Sequence, residues 1–154
     1  MKPEQKDTPL NILLADDDHD DRFFFANAIK GIPIASHLTT VNDGEELMKY
    51  LSANSGQLPD ILFLDLSMPR KTGFECLSEI KESKVLKDIP VIVFTTSFGR
   101  GIDFEDRLID ILSTIGAQEY VRKPNDLKEL EKIIHNAFIK AIEKRSLKEQ
   151  EKNS

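Results

Sequence analysis

The sequence predicts a doubly wound α/β fold: a five-stranded parallel sheet in the order 2-1-3-4-5, with five helices around it. Short apolar runs alternate along the chain with longer segments of helical periodicity, a pattern typical of βαβ units. Several of these runs are almost wholly apolar, as strands are when helices cover both faces of the sheet. The 154 residues suffice for one such domain with its own hydrophobic core.

The predicted strands are short runs that lie between helical segments. They cover residues 11–15, 37–41, 61–65, 91–95 and 119–122. The first, third and fourth runs are the most apolar, which indicates strands in the centre of the sheet, whereas the second and fifth are more polar.

Capping signals predict where the first three helices begin. Asp18 or His19 begins the first helix, and Asp43 can cap the second. Thr72 and Glu75 have the spacing of a capping box at the start of the third.

The last two helices are predicted from apolar periodicity. The fourth is expected to begin at Asp103, and the fifth has the clearest apolar stripe. The stripe comprises Leu127, Leu130, Ile133, Ile134, Ala137, Phe138 and Ala141. Beyond Ile142 the chain is too polar to pack, so we expect the helix to fray into a disordered tail. The prediction is therefore a flexible N-terminus (1–9), one folded domain (10–143) and a polar C-terminal tail (144–154).

Composition excludes several classes of protein. The net charge of −6 and the pI of about 5.1 argue against nucleic acid as a direct partner. Cys76 is the only cysteine, so neither an intrachain disulfide nor a cysteine-rich zinc site can form. No apolar run is long enough to span a membrane, and the first residues lack the apolar core of a signal peptide. A cytoplasmic location is expected.

Carboxylates follow two of the predicted strands. Asp16, Asp17 and Asp18 come after the first strand, and Asp65 ends the third. In the predicted order these strands are neighbours, so Asp16, Asp17 and Asp65 should meet at one edge of the sheet. Like charges this close raise each other's pKa unless a cation neutralises them. Since Mg²⁺ prefers carboxylates together with phosphate and water, the sequence predicts a magnesium site.

A hydroxyl and a lysine should reach the same edge. Thr95 ends the fourth predicted strand, and Lys123 follows the fifth. Both groups suit the oxygens of a phosphoryl group, whose transfer depends mainly on positioning and charge neutralisation. A carboxylate can act as the covalent nucleophile for phosphate. Because metal ligation should fall mainly to the paired acids Asp16 and Asp17, Asp65 is the candidate nucleophile.

Other polar residues near the acidic run are interpreted as structural. Asp18, with Asp20 or Asp21, fits a helix cap and first-turn acids, which the helix dipole favours, rather than additional metal ligands. His19 is interpreted as a solvated residue.

Taken together, the fragments ADDDHDD, LDLSMPRKTGFE, VFTTS and YVRKP resemble the receiver domain of bacterial two-component response regulators, the CheY-like family. The resemblance runs from about residue 11 to about residue 142. The fragments DLSMPRKTGFE and IPVIVFTTS look most like stand-alone receivers paired with phytochrome-type or other hybrid histidine kinases.

The resemblance implies a role for each acid. Asp16 and Asp17 match the acidic pair of the family, with Asp17 as its direct metal ligand. Asp65 matches the phosphoacceptor. Ser67 matches the position whose backbone carbonyl also binds Mg²⁺.

The resemblance also implies a switch and partners. Thr95 matches the switch hydroxyl, Tyr120 the switch aromatic, and Lys123 the lysine that contacts the phosphoryl group. The chain would then be a signalling receiver, not an enzyme, catalysing only its own phosphorylation and dephosphorylation. A sensor histidine kinase would supply the phosphoryl group. Because there is no room for an output domain, a downstream protein or a histidine phosphotransfer protein would meet the surface of the fourth helix, fifth strand and fifth helix.

One interval departs from the family. More residues separate Thr95 from Lys123 than in a compact receiver, and the excess falls in SFGRGIDFED. It should lengthen the loop before the fourth helix or alter that helix, so it affects the partner surface and not the catalytic residues.

Three other functions share parts of the pattern. A haloacid-dehalogenase-type phosphatase normally carries a second aspartate two residues after the nucleophile, where this chain has Ser67. A flavodoxin-type FMN carrier needs a phosphate loop rich in Ser, Thr and Gly after the first strand, where this chain is acidic. A pseudo-receiver scaffold binds partners without being phosphorylated, and the complete set of Asp17, Asp65, Thr95 and Lys123 argues against it.

Overall fold

The structure, a computed structural model, describes residues 8–96 and 102–152. Its strands are β1 (Leu10–Ala15), β2 (Ser36–Val41), β3 (Ile61–Leu64), β4 (Val91–Thr95) and β5 (Glu119–Arg122). Its helices are α1 (His19–Lys30), α2 (Gly44–Ala53), α3 (Gly73–Glu82), α4 (Ile102–Ile115) and α5 (Leu127–Lys152). The alternation of strands and helices is the predicted one.

The strands form one parallel sheet in the order β2-β1-β3-β4-β5, which confirms the predicted topology. Ala15 at the end of β1 pairs with Leu64 at the end of β3, and Thr95 at the end of β4 pairs with Arg122 at the end of β5. The register therefore brings the residues that follow β1, β3 and β5 to the same edge, here called the carboxyl edge. The opposite edge, where the strands begin, is called the amino edge.

Helices bury apolar side chains on both faces of the sheet. On one face α2, α3 and α4 pack against it, and on the other α1 and α5 do. Phe25 of α1 contacts Phe63 and Phe94 edge-to-face, with ring centroids 4.9 and 5.7 Å away, an arrangement favoured by the ring quadrupoles. Cys76 of α3 is buried on the other face, and its Sγ donates a hydrogen bond to the carbonyl oxygen of Gly44 (3.5 Å).

The predicted caps begin three helices. Asp18 caps α1, Asp43 caps α2, and Thr72 forms a reciprocal capping box with Glu75 at α3. Each side chain accepts a backbone N–H that has no partner within its helix. These caps fix where the three helices leave the carboxyl edge.

The C-terminal part of the chain differs from the prediction. Instead of fraying after Ile142, α5 continues to Lys152. Arg145 holds this extension in place, because its guanidinium donates to the carbonyl oxygen of Thr8 (2.8 Å) and to Oδ2 of Asp60 (2.8 Å). Polar composition alone does not reveal such contacts between distant parts of the chain.

The interval before α4 is described in part. Helix α4 begins at Ile102, one residue before the predicted start at Asp103. The predicted longer loop falls partly on residues 97–101, which lie outside the described residues. Within the two described ranges, no helix has the length and apolarity needed to cross a bilayer.

Candidate functional site

The sheet positions the candidate residues at its carboxyl edge. Asp16, Asp65 and Lys123 each lie one residue beyond a strand, and Thr95 is the last residue of β4. The backbone amides of Asp16, Asp65 and Lys123 each donate to a carbonyl oxygen of a neighbouring strand, at 3.1, 3.0 and 2.8 Å. The sheet hydrogen bonding therefore continues into the site and fixes the backbone there.

Three carboxylates form a cluster at this edge. One oxygen from each of Asp16, Asp17 and Asp65 lies within 4.8 Å of the others. Asp16 and Asp65 are buried, whereas Asp17 is exposed. Hard oxygen ligands at this spacing fit a divalent cation, and the exposed Asp17 leaves the cluster open to solvent on one side.

Both oxygens of the Asp65 carboxylate have donors. Oδ1 accepts from the hydroxyl of Thr95 (2.9 Å) and from the backbone N–H of Ser67 (3.2 Å), and Oδ2 accepts from Nζ of Lys123 (3.2 Å). Because a buried carboxylate is costly without such partners, these contacts fix its orientation.

Lys123 is shared among three acids. Its Nζ donates to Asp16 (2.7 Å), Asp21 (2.8 Å) and Asp65 (3.2 Å), and it lies 5.8 Å from the ring centroid of Phe94. Burial lowers the pKa of Lys123, but hydrogen bonds to Asp16 and Asp21 outweigh burial and leave the pKa above its ordinary value. The lysine is therefore a fixed positive charge at the site.

Burial raises the pKa of Asp16 from 3.8 to about 6. Hydrogen bonds from Lys123 and from the backbone N–H of Asp18 (2.9 Å) oppose the shift, and the charge of Asp65 adds to it. One ammonium thus compensates only part of the negative charge, and a divalent cation would supply the remainder.

A glycine allows α3 to begin beside the nucleophile candidate. A Cβ atom on Gly73 would lie 2.2 Å from the carbonyl oxygen of Asp65, much closer than any real contact. The amide of Gly73 instead donates to the carbonyl oxygen of Leu66 (3.1 Å). The segment that carries Asp65 is therefore held between β3 and the start of α3.

The hydroxyl groups of Thr95 and Tyr120 are both buried in the protein. Thr95 is fully buried with its hydroxyl on Asp65, and the hydroxyl of Tyr120 is buried with no hydrogen-bond partner among the described residues. Burial, together with the charge of Glu105, raises the pKa of Tyr120. Thr95 therefore contacts the candidate nucleophile in the absence of a phosphoryl group.

The structure brings together all of the predicted acids, the threonine and the lysine. Ser67 lies exposed beside Asp65 and contacts it through its backbone amide. Asp18 acts as the helix cap, as interpreted from the sequence, because its Oδ1 accepts the backbone N–H groups of Asp20 (2.8 Å) and Asp21 (3.1 Å).

Sequence reasoning missed the contact between Asp21 and Lys123, because it interpreted Asp21 only as a first-turn acid. The one available signal was the position of Asp21 in the first turn of a helix that begins beside the site.

Residues 12–135 match the family model described as the response regulator receiver domain. The response regulator Rcp1 of Synechocystis sp. (strain ATCC 27184 / PCC 6803 / Kazusa) is 32% identical over 135 residues, which cover 85% of this chain and 88% of Rcp1.

Solved structures agree with this match. The Mn²⁺-bound form of Rcp1 has a TM-score of 0.69 at 31% identity, covering 83% of this chain and 91% of that one. The phosphorylated cyanobacterial phytochrome response regulator RcpA has a TM-score of 0.72 at 32% identity, covering 84% and 91%. The chain therefore belongs to the response regulator receiver domain family, and its fold is the CheY-like one that the sequence resemblance implied.

Proposed function

We propose that Asp65 accepts a phosphoryl group from a phosphohistidine of a sensor histidine kinase. The observation that carries the proposal is the convergence on one buried carboxylate of a charged lysine, a buried hydroxyl and two further acids. Phosphoryl transfer needs a positioned nucleophile and fixed charges more than it needs covalent help from the protein.

In this step a carboxylate oxygen of Asp65 attacks the phosphorus atom. The new P–O bond forms as the P–N bond to the imidazole breaks, and the electron pair of that bond remains on the imidazole nitrogen. Lys123 and Thr95 can donate to oxygens of the incoming phosphoryl group, because both already donate to Asp65. Preorganised donors of this kind stabilise charge without having to reorient during the reaction.

Asp16, Asp17, Asp65 and the backbone carbonyl of Ser67 would hold Mg²⁺. The donor set supports this assignment, since three carboxylate oxygens lie within 4.8 Å of one another. When bound, Mg²⁺ supplies positive charge that offsets the carboxylates and the phosphoryl oxygens. Asp17 is the most exposed of the three acids and is the ligand that solvent-borne metal reaches first.

A phytochrome-type histidine kinase is the proposed phosphoryl donor. The support is the similarity to RcpA, a phytochrome response regulator, and to Rcp1.

The proposed output surface is built from α4, β5 and α5. Thr95 and Tyr120 lie on β4 and β5, between Asp65 and this surface. Large apolar side chains are exposed on it, including Ile109 and Ile111 of α4 and Ile139 of α5. An apolar surface beside the switch residues suits a downstream protein or a histidine phosphotransfer protein.

Family membership and site composition disfavour the other functions. A haloacid-dehalogenase-type phosphatase normally carries a second aspartate two residues after the nucleophile, and this chain has Ser67 at that position. A scaffold that is never phosphorylated has no need for a lysine shared among three acids.

Mass spectrometry after treatment with acetyl phosphate and Mg²⁺ tests the phosphoacceptor. The parent protein should gain the mass of one phosphoryl group, and Asp65→Asn should gain none. Asp88→Asn removes an acid at the amino edge and should behave as the parent does. Phosphorylation of Asp65→Asn to the level of the parent would refute the assignment.

Magnesium titration tests the metal ligands. Asp17→Ala should nearly abolish Mg²⁺ binding, whereas Asp20→Ala, which removes an exposed acid close by, should retain it. Equal affinity in Asp17→Ala and the parent would contradict the proposed site.

Amide hydrogen exchange with and without beryllofluoride, a phosphoryl mimic, tests the output surface. Protection should change across α4 and around Tyr120, and Thr95→Ala should reduce that change while leaving Mg²⁺ binding intact. Changes confined to α1 and α2 would refute the proposed surface.

A further inference from the structure

Lys123 has no free donor in this structure. An ammonium carries three N–H groups, and Nζ of Lys123 has three carboxylate acceptors: Asp16 (2.7 Å), Asp21 (2.8 Å) and Asp65 (3.2 Å). A phosphoryl oxygen that binds Lys123 must therefore replace one of these contacts or weaken it.

The three acids differ in the free-energy cost of losing their hydrogen bond to Lys123. The Asp16 side chain is 1% exposed and that of Asp65 is 7% exposed, whereas that of Asp21 is 37% exposed. A carboxylate that loses a hydrogen bond while buried bears the full cost of desolvation, but an exposed one can be hydrated instead. Asp21 is therefore the partner that can release Lys123 at the lowest cost.

We propose that Asp21 is a positioning residue that acts through Lys123: it holds the ammonium in the unphosphorylated protein and competes with the phosphoryl group for it. The inference rests on the proposed function of Asp65. It adds that the occupancy of the phosphoryl site, and the time that a phosphoryl group stays there, are set partly by an acid of α1 that is not among the proposed metal ligands.

The position of α1 supports a specific contact rather than a general effect of charge. Asp18 fixes the first turn by accepting the backbone N–H groups of Asp20 and Asp21. Arg22 donates from its guanidinium to the carbonyl oxygen of Asp16 (2.9 Å) and ties the same turn to the end of β1. The Asp21 carboxylate is thus directed at Lys123, while the Asp20 side chain is 99% exposed.

The test measures beryllofluoride affinity at saturating Mg²⁺ by calorimetry. Asp21→Asn should bind beryllofluoride about five- to tenfold more tightly, because an amide competes for an ammonium less well than a carboxylate does. Asp20→Asn removes the same charge from the same helical turn without the contact, and its affinity should change much less. Asp21→Glu retains the carboxylate and should return the affinity toward that of the parent.

The phosphoryl group should also be lost more slowly from Asp21→Asn than from the parent and from Asp20→Asn. A purely structural role of Asp21 would weaken beryllofluoride binding or leave it unchanged, and either result overturns the inference. Equal tightening in Asp20→Asn and Asp21→Asn also overturns it, because long-range charge would then be the cause. If the parent itself binds no beryllofluoride, the proposed function of Asp65 fails and this inference fails with it.

Discussion

The two edges of the sheet differ in how their charged side chains are paired. At the carboxyl edge one ammonium, Lys123, serves three carboxylates, and Asp17 adds a fourth acid. At the amino edge the cations are matched to their acceptors: Arg145 donates to Asp60, and Lys81 donates to two backbone carbonyl oxygens at 2.8 and 2.9 Å. Acids therefore outnumber the cation that they share at the carboxyl edge, whereas each of these amino-edge cations has acceptors of its own.

Within this one fold, the carboxyl edge carries the candidate site, whereas the contacts at the amino edge contribute to stability. Uncompensated carboxylates lower stability, and here they lie where we propose that a cation and a phosphoryl group bind. The polar contacts of Arg145 tie α5 to Thr8 and Asp60 and contribute no chemistry. Variants at the amino edge should therefore lose stability and keep phosphorylation, while variants at the carboxyl edge should affect phosphorylation and can gain stability.

The largest expected effect lies at the amino edge. Arg145→Ala should lower the free energy of unfolding by about 3 kcal/mol, because it leaves Asp60 without its cation and removes the hydrogen bond to the carbonyl oxygen of Thr8. Urea denaturation measures this loss. Phosphorylation of the folded protein by acetyl phosphate should be unchanged.

Lys148→Ala, one turn along α5 at an exposed position, is the control for Arg145→Ala. A loss in Arg145→Ala no larger than in this control, or a loss of phosphorylation in the folded variant, would remove the distinction between the edges.

The next effect is a pH dependence at the carboxyl edge. Between pH 4 and about 6 the folded protein holds a proton on Asp16 that the unfolded chain has released, because burial raises the pKa of Asp16 to about 6. The free energy of unfolding should therefore fall as pH rises through this window. Deprotonation of Asp16 should account for about 2 kcal/mol of this loss, after allowance for solvent at the mouth of the site.

Urea denaturation in chelator, for the parent and for Asp16→Asn, isolates the contribution of Asp16. The difference in stability between the two proteins should shift in favour of Asp16→Asn as pH rises from 4 to 6. If the difference in stability between the two proteins does not depend on pH, burial does not raise the pKa of Asp16.

A smaller effect, a gain in stability, is expected at Tyr120. Its buried hydroxyl has no partner among the described residues, so Tyr120→Phe should raise the stability of the unphosphorylated protein by about 1 kcal/mol. Tyr50→Phe, at the chain's other tyrosine, serves as the comparison. Thermal unfolding measures both, and a lower midpoint for Tyr120→Phe would indicate that the hydroxyl is paired in solution.

The smallest effect is expected at Asp17. In chelator Asp17→Asn should melt slightly above the parent, because it removes a like charge from beside two buried carboxylates. Added Mg²⁺ should abolish the advantage, since it stabilises the parent by binding. Asp20→Asn controls for the change in net charge, and equal gains in the two variants would assign the effect to net charge alone.

Sequence predicted the sheet order and the convergence of the acids, because apolar runs, caps and strand ends are local features whose positions the topology then fixes. It did not predict the Asp21 contact, since periodicity places this residue on a helical turn but not toward a lysine far along the chain. The extension of α5 was missed for the same reason: Arg145 finds its partners near the start of the chain and at the start of β3.

The buried Cys76 makes this chain a suitable background for single-site labelling. Burial raises the pKa of its thiol to about 12, and the thiolate is the species that maleimides attack. At neutral pH the native cysteine should stay unmodified, while a cysteine introduced at an exposed position such as Ile111 reacts. A fluorophore or spin label can thus be attached to α4 of the otherwise native protein, so that movement of α4 can be followed in real time.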